Sequence, residues 1–252
     1  AIESFRSLLS VPDTHEILFL GGGATMQFGM VPMNFLAGGS CDLTLTGAWA
    51  KKALADAKLY GEVNVTFDGS EGGFTTLPAP TLIKATPGSR YLHITSNETI
   101  GGLQWKEFPS ETDGVPLVAD MSSDIMSRPF DLAPFGVIYA GAQKNLGPAG
   151  VTVVIIRKDM LDKEAAAIPA YLRYSTHAEK NSLYNTPPVF SIWALGLVLK
   201  WIEKLGGLSA VAERNKMKSE LLYGVIEELS DFYSCPVEIG RASCRERVYT
   251  KV

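Results

Sequence analysis

The feature that most constrains this chain is a regular alternation of short Val/Ile/Leu runs with stretches of helical spacing. Glu16-Ile-Leu-Phe-Leu20 is an apolar run of strand length, stopped by Gly21-Gly22-Gly23. Apolar residues then recur at helical spacing over 24–36, where Pro32 is expected to end or kink the helix. Residues 42–46 predict a strand, and 49–60 a helix stopped at Gly61. Further strands are predicted at 62–65, 91–95, 115–119, 137–140 and 151–156. Strands apolar on both faces suit a parallel sheet covered by helices on each side. The expected class is therefore α/β with a mainly parallel sheet. Beyond Asp159 the pattern turns helical. Thr186-Pro187-Pro188 predicts a helix start with the Thr186 hydroxyl as N-cap, running to about 205 and stopping at Gly206-Gly207. A second helix is expected over 208–229, and no internal repeat or linker interrupts the sheet region.

Composition narrows the function classes. A chain of 252 residues that is 46% hydrophobic can bury a sizeable core. Its 23 basic against 27 acidic residues argue against nucleic acid or an anionic membrane as the main partner. No run of eighteen apolar residues predicts a membrane-spanning helix. Cys41, Cys235 and Cys244 are odd in number and lack CxxC spacing, which favours a reducing cytoplasm over a disulfide framework or a zinc site. His15, His93 and His177 are scattered, so no metal site is expected.

The most informative segment is Gly136-Val-Ile-Tyr-Ala-Gly-Ala-Gln143-Lys144-Asn-Leu-Gly147, where a lysine follows directly on a buried strand. A single loop lysine is ordinarily exposed. Here the small residues Gly141, Ala142, Gly147, Ala149 and Gly150 leave room for a planar group beside it. A desolvated lysine amine can act as a Schiff-base nucleophile. Val118-Ala-Asp120-Met-Ser-Ser123 puts an aspartate at the carboxyl end of another apolar strand, the edge where open α/β sheets bind ligands. Taken alone, Asp120 could equally be a turn or helix cap. An acid and a lysine facing one crevice are what a pyridoxal cofactor needs, the acid keeping its ring nitrogen protonated. Gly21-Gly-Gly-Ala24-Thr25-Met26 joins a strand to a helix whose first N–H groups can hold a phosphate. It matches neither the Walker loop nor the dinucleotide fingerprint. Trp49, at a helix start, could lay its ring on a flat cofactor, although a tryptophan is more often core.

Together these segments resemble the phosphoserine aminotransferases, fold-type I enzymes dependent on pyridoxal 5′-phosphate. The resemblance covers residues 1–238 and rests on motifs in the family's order. They are the glycine turn with Gln27-Phe28, Thr46-Gly-Ala-Trp49, Asn97-Glu98-Thr99, Asp120-Met-Ser-Ser123, Gly141-Ala-Gln143-Lys144-Asn145 and Tyr184-Asn185-Thr186-Pro-Pro188. It implies that Lys144 carries the cofactor as a Schiff base and that Asp120 pairs with the pyridinium nitrogen. Trp49 would stack on the ring and Thr99 would bond the ring hydroxyl. Ala24, Thr25 and Gln143 would hold the phosphate. Asn185 and Thr186 would reach the phosphate of a neighbouring subunit, which implies a homodimer sharing its cofactor sites. The implied reaction converts L-glutamate and 3-phosphohydroxypyruvate to 2-oxoglutarate and O-phospho-L-serine, in serine biosynthesis. The alternatives are another fold-type I reaction (serine–glyoxylate transamination or cysteine desulfuration) and a non-catalytic α/β module that binds a phosphorylated ligand.

The chain departs from the family at both ends. The resemblance implies substrate-binding arginines in an N-terminal arm and a small C-terminal domain, both expected to be missing. Arg90, Arg128, Arg157 and Arg173 do not match those motifs and read as solvated surface. The expected organisation is a large cofactor-binding domain over 1–205 and the start of a connection to the small domain over 206–238. A non-native tail over 239–252 completes it. Ile239-Gly-Arg-Ala-Ser-Cys-Arg-Glu-Arg-Val248 resembles a translated sequencing adapter, the alternative being a basic interaction tail. A chain so truncated is expected to bind cofactor weakly and to transaminate poorly.

Overall fold

Seven strands pair into one sheet in this computed structural model, which describes residues 1–237 and the backbone of Tyr249–Thr250. Apart from that backbone, the expected non-native tail over 239–252 lies outside the described residues. In chain order the elements begin with α1 (Ile2–Leu9), β1 (His15–Leu20), α2 (Gly23–Phe35), β2 (Ser40–Leu45), α3 (Ala48–Ala57), β3 (Glu62–Asp68) and β4 (Leu92–Thr95). A small hairpin of β5 (Asn97–Glu98) and β6 (Leu103–Gln104) follows, then β7 (Leu117–Asp120), β8 (Phe135–Gly141) and β9 (Thr152–Arg157). The helices α4 (Lys158–Leu161), α5 (Tyr174–Glu179), α6 (Val189–Lys204) and α7 (Gly207–Glu228) come next, with the short strands β10 (Tyr233–Ser234) and β11 (Tyr249–Thr250) last.

The strand order is β1-β9-β8-β7-β4-β2-β3. Neighbours from β8 through β3 are parallel, whereas β9 runs antiparallel to both β8 and β1. The sheet is thus mainly parallel, with β9 as its reversed member. Alternate residues feed two cores. On one face Leu18, Leu43, Val118, Val137 and Val154 pack with Phe28, Val31 and Phe35 of α2 and Ala50 and Ala53 of α3. On the other, Ile94, Ala119, Ile138 and Ile155 pack with Phe5 of α1, Leu195 and Leu199 of α6, and Leu208 of α7. Cover on both faces explains why these strands read as continuous apolar runs rather than alternating ones.

Two local expectations fail for physical reasons. Pro32 neither ends nor breaks α2, which continues to Phe35. Proline removes one backbone donor, but Phe28, Val31, Phe35 and Leu36 around it are all buried, and that packing holds the last turn in place. Thr186 does not cap α6. The helix begins at Val189 with Pro188 at the N-cap position and no side-chain cap hydrogen bond, because two successive prolines keep the chain extended past the hydroxyl.

Of the four arginines expected at the solvated surface, Arg90 is exposed and Arg128, Arg157 and Arg173 are half-buried. Arg128 is half-buried, donates to the Trp105 carbonyl at 2.7 Å and lies 5.2 Å from the Phe108 ring. Arg157 pairs with Asp159, and Arg173 donates to the Ala166 carbonyl at 2.7 Å.

A buried histidine provides a test of the α2/α3 face. His93 Nε2 and the Tyr139 hydroxyl are 2.8 Å apart, and His93 Nδ1 is buried with no partner among the described residues. Burial pushes its pKa down to about 4, so the folded state excludes a proton that the unfolded chain accepts below about 6.5. Stability from this residue is therefore present above pH 6.5 and is lost as pH falls toward 4. At 1.36 kcal/mol per pKa unit, that loss is about 3 kcal/mol. Denaturant titrations of the wild type and His93→Gln should show the stability difference shrinking by this amount between pH 7 and 4. A difference independent of pH would contradict the assignment.

Candidate active site

The parallel strands bring five chain segments to one edge of the sheet. β1, β2, β4, β7 and β8 share a direction, and Leu20 and Gly141, the last residues of β1 and β8, both stand opposite Thr152. Thr95, Asp120 and Tyr139 are successive register partners across β4, β7 and β8, so their side chains share a face. From this carboxyl edge emerge the glycine turn into α2, the Thr46-Gly-Ala-Trp49 entry to α3, the Asn97–Thr99 segment, Asp120, and the turn carrying Gln143 and Lys144. It is the edge at which open α/β sheets bind their ligands.

Lys144 is half-buried. Its Nζ donates to Thr99 Oγ1 at 2.6 Å and lies 4.7 Å from the centre of the Trp49 ring. Three residues spread over nearly a hundred positions thus meet at one amine. The indole face beside that amine is the surface on which a flat ring attached to Nζ would rest.

Asp120 ends β7 and is 5% exposed. The backbone N–H and the hydroxyl of Ser122 both donate to its Oδ1, at 2.9 and 2.6 Å. Ser122 Oγ in turn accepts the Gly141 N–H at 3.0 Å, which ties the acid to the end of β8. Burial raises the Asp120 pKa, and the Ser122 bonds and the Lys144 charge oppose that rise. A carboxylate buried this way is stabilised most by a cation placed against it. Asp124 is buried nearby and accepts from Ser96 Oγ, which also donates to the Asp120 carbonyl at 2.9 Å.

The N-terminus of α2 is left uncapped by side chains. Gly22, its N-cap, has φ +86°, a conformation that favours glycine. The N–H groups of the first turn have no acceptor within the helix, and they include those of half-buried Ala24 and exposed Thr25. Such a terminus suits an anion. Gln143 is exposed on the turn before Lys144.

Asn185 and Thr186 are not part of this group. They are exposed in the loop before α6 and, with Gly21, Gly150 and Tyr171, line a separate cavity of about 230 Å³. Residue-by-residue reasoning missed Ser122, which orients Asp120, and Glu98, whose buried carboxylate accepts the Trp49 and Ala50 N–H groups. Their signal in the sequence was their place in the Asn97-Glu98-Thr99 and Asp120-Met-Ser-Ser123 motifs.

A lysine amine over an indole, a buried acid and a helix start uncapped by side chains thus meet on one sheet edge. The sequence profile of the class-V aminotransferases matches residues 1–246. A curated phosphoserine aminotransferase of Geobacillus kaustophilus is 50% identical over 251 residues, 99% of this chain and 69% of that protein. The solved phosphoserine aminotransferase of Bacillus circulans subsp. alkalophilus superposes with a TM-score of 0.92 at 47% identity, covering 96% of this chain and 67% of that one. The enzyme from Trichomonas vaginalis, solved with pyridoxal phosphate bound, gives 0.91 at 35% identity, over 98% and 74%. The chain belongs to the phosphoserine aminotransferase family of class-V aminotransferases. It spans about two thirds of the length of the curated relatives it matches.

The thiols bear on the desulfuration alternative, which needs a mobile nucleophilic cysteine. Cys41 is fully buried on β2, and burial pushes its pKa up to about 11. Such a thiol is inert at neutral pH. Alkylation at pH 8, followed by peptide mass mapping, should modify Cys41 at least ~100-fold more slowly in the folded protein than in denaturant. Comparable rates would contradict its burial.

Proposed function

We propose that this chain is the cofactor-binding part of an enzyme that moves an amino group from L-glutamate to 3-phosphohydroxypyruvate, giving 2-oxoglutarate and O-phospho-L-serine. The observation that carries this function is the meeting of Lys144 Nζ with the Thr99 hydroxyl and the Trp49 ring, in a member of this family. The residues fit pyridoxal 5′-phosphate. The amine suits its aldehyde, the indole face its ring, Asp120 its ring nitrogen, and the uncapped α2 terminus its phosphate. When bound, this group supplies an electron sink for the charge left when an amino acid loses its Cα proton.

The chain's own residues then divide the work. Lys144 would hold the cofactor through Nζ, and its free amine would take up and return the substrate's Cα proton. Asp120 would keep a proton on the ring nitrogen, a pairing that its burial would strengthen. Trp49 would support the ring with its indole face, and the Thr99 hydroxyl would bond the ring oxygen. The N–H groups of Ala24 and Thr25, the Thr25 hydroxyl and the Gln143 amide hold the phosphate.

Asn185 and Thr186 complete the site of a second subunit, making the enzyme a homodimer with shared cofactor sites. Their exposure supports this role, as does the apolar stripe of Phe190, Trp193, Leu197 and Trp201 that α6 presents just beyond them. We place the enzyme in the cytoplasm, where the Cys41 thiol stays reduced. Among the described residues no helix is long and apolar enough to cross a membrane. We assign residues 1–205 to the cofactor-binding domain and the segment that follows, whose Leu208 still packs against its core, to the start of a connection to a small domain.

The test uses the full-length protein titrated with pyridoxal phosphate, followed by its visible absorbance and by 2-oxoglutarate release from glutamate. Lys144→Ala should abolish both the new band and the release. Asp120→Asn should slow release by on the order of 100-fold. Wild-type rates in Lys144→Ala would refute the proposed chemistry.

A further inference from the structure

None of the roles above uses Glu98, although its carboxylate is the acid bonded directly to the element that carries Trp49. Glu98 ends β5 and is 2% exposed. Its Oε2 accepts the Trp49 N–H at 3.0 Å, its Oε1 accepts the Ala50 N–H at 2.9 Å, and the Thr46 hydroxyl lies 3.5 Å from Oε1. Trp49 and Ala50 stand in the first turn of α3, whose N-cap, Gly47, has no side chain with which to cap it. A carboxylate at a helix N-terminus satisfies amides that lack acceptors within the helix and interacts favourably with the helix dipole. Here that carboxylate comes from a residue about fifty positions downstream.

Gly47 makes this approach possible. A Cβ on Gly47 would stand 2.6 Å from Glu98 Cδ, inside any tolerable contact. The next residue, Thr99, accepts the bond from Lys144 Nζ at 2.6 Å, and the same Nζ lies 4.7 Å from the Trp49 ring. Glu98 and Thr99 therefore hold the two sides of one gap, the indole through its backbone and the amine through a hydroxyl. Burial raises the Glu98 pKa and the two backbone N–H bonds lower it, as expected of a carboxyl held by amides out of water.

We propose that Glu98 is a positioning residue that sets the Trp49 indole against the Lys144 amine by capping α3 from outside the helix. The consequence for cofactor binding rests on the function proposed above, whereas the placement of the indole does not. Glu98→Ala removes both acceptors, Glu98→Gln keeps one of comparable geometry, and Gly47→Ala displaces the carboxylate without altering it. Ala55→Gly, on the exposed side of α3, weakens the helix without touching the cap.

The primary readout is acrylamide quenching of Trp49 fluorescence, taken as the difference between each protein and its Trp49→Phe counterpart. The second is the affinity for pyridoxal phosphate and the circular dichroism of its visible band. Glu98→Ala and Gly47→Ala should raise Trp49 quenching, reduce the visible dichroism, and weaken cofactor affinity by up to about tenfold, the scale of a lost cap. Glu98→Gln should fall between these and the wild type. Ala55→Gly should lower the melting temperature and leave both optical signals unchanged. Should Glu98→Ala and Glu98→Gln lower only the melting temperature, with quenching and dichroism as in the wild type, the proposal is overturned. A wild-type protein that binds no pyridoxal phosphate would overturn the proposed function, and Trp49 quenching alone would then decide the role of Glu98.

Discussion

The shared direction of β1, β2, β4, β7 and β8 is the constraint on which everything else in this molecule rests. Parallel strands end together, so each contributes a loop to one edge, and those loops carry the functional side chains. The reversal of β9 matters for the same reason. By running antiparallel between β8 and β1, it lets the end of β1 lie at the same level as the end of β8, so the glycine turn emerges at the edge that carries Lys144. A register shift of one residue in β7 would turn Asp120 to the opposite face, away from α2 and α3.

The site concentrates buried carboxyl groups, and each is satisfied by a different device. Asp120 takes two bonds from Ser122 and feels the Lys144 charge. Asp124 takes bonds from Ser96 and Gln104 and feels the charge of Arg128. Glu98 takes the first amides of α3. Burial raises the pKa of all three. A buried acid is costly unless its oxygens are bonded, and these bonds fix geometry as well as offsetting the cost. With their oxygens bonded in this way, these acids fix the surroundings of the indole face and the lysine amine.

The parts legible in the sequence were those written in contiguous residues. β8 and β9 were readable because each is buried along nearly its whole length, and α7 because glycines mark its start. Lys144 and Asp120 were readable because each directly follows or ends such a strand. Contacts between distant residues were not readable. Glu98 caps a helix fifty positions away, Arg128 donates to Trp105, and Pro32 is tolerated because its neighbours pack into the sheet. Thr186 misled for the opposite reason, since its local cap signature is overridden by the two prolines that follow it. Local patterns report what a segment prefers, and packing decides whether that preference is met.

In the proposed function the Lys144 amine, held by Thr99 and faced by Trp49, is the group that would engage the cofactor. Borohydride reduction of the protein loaded with pyridoxal phosphate, followed by peptide mass mapping, tests it most directly. The account predicts one stoichiometric adduct, on the peptide containing Lys144. An adduct on Lys51 or Lys106, with Lys144 unmodified, would contradict it.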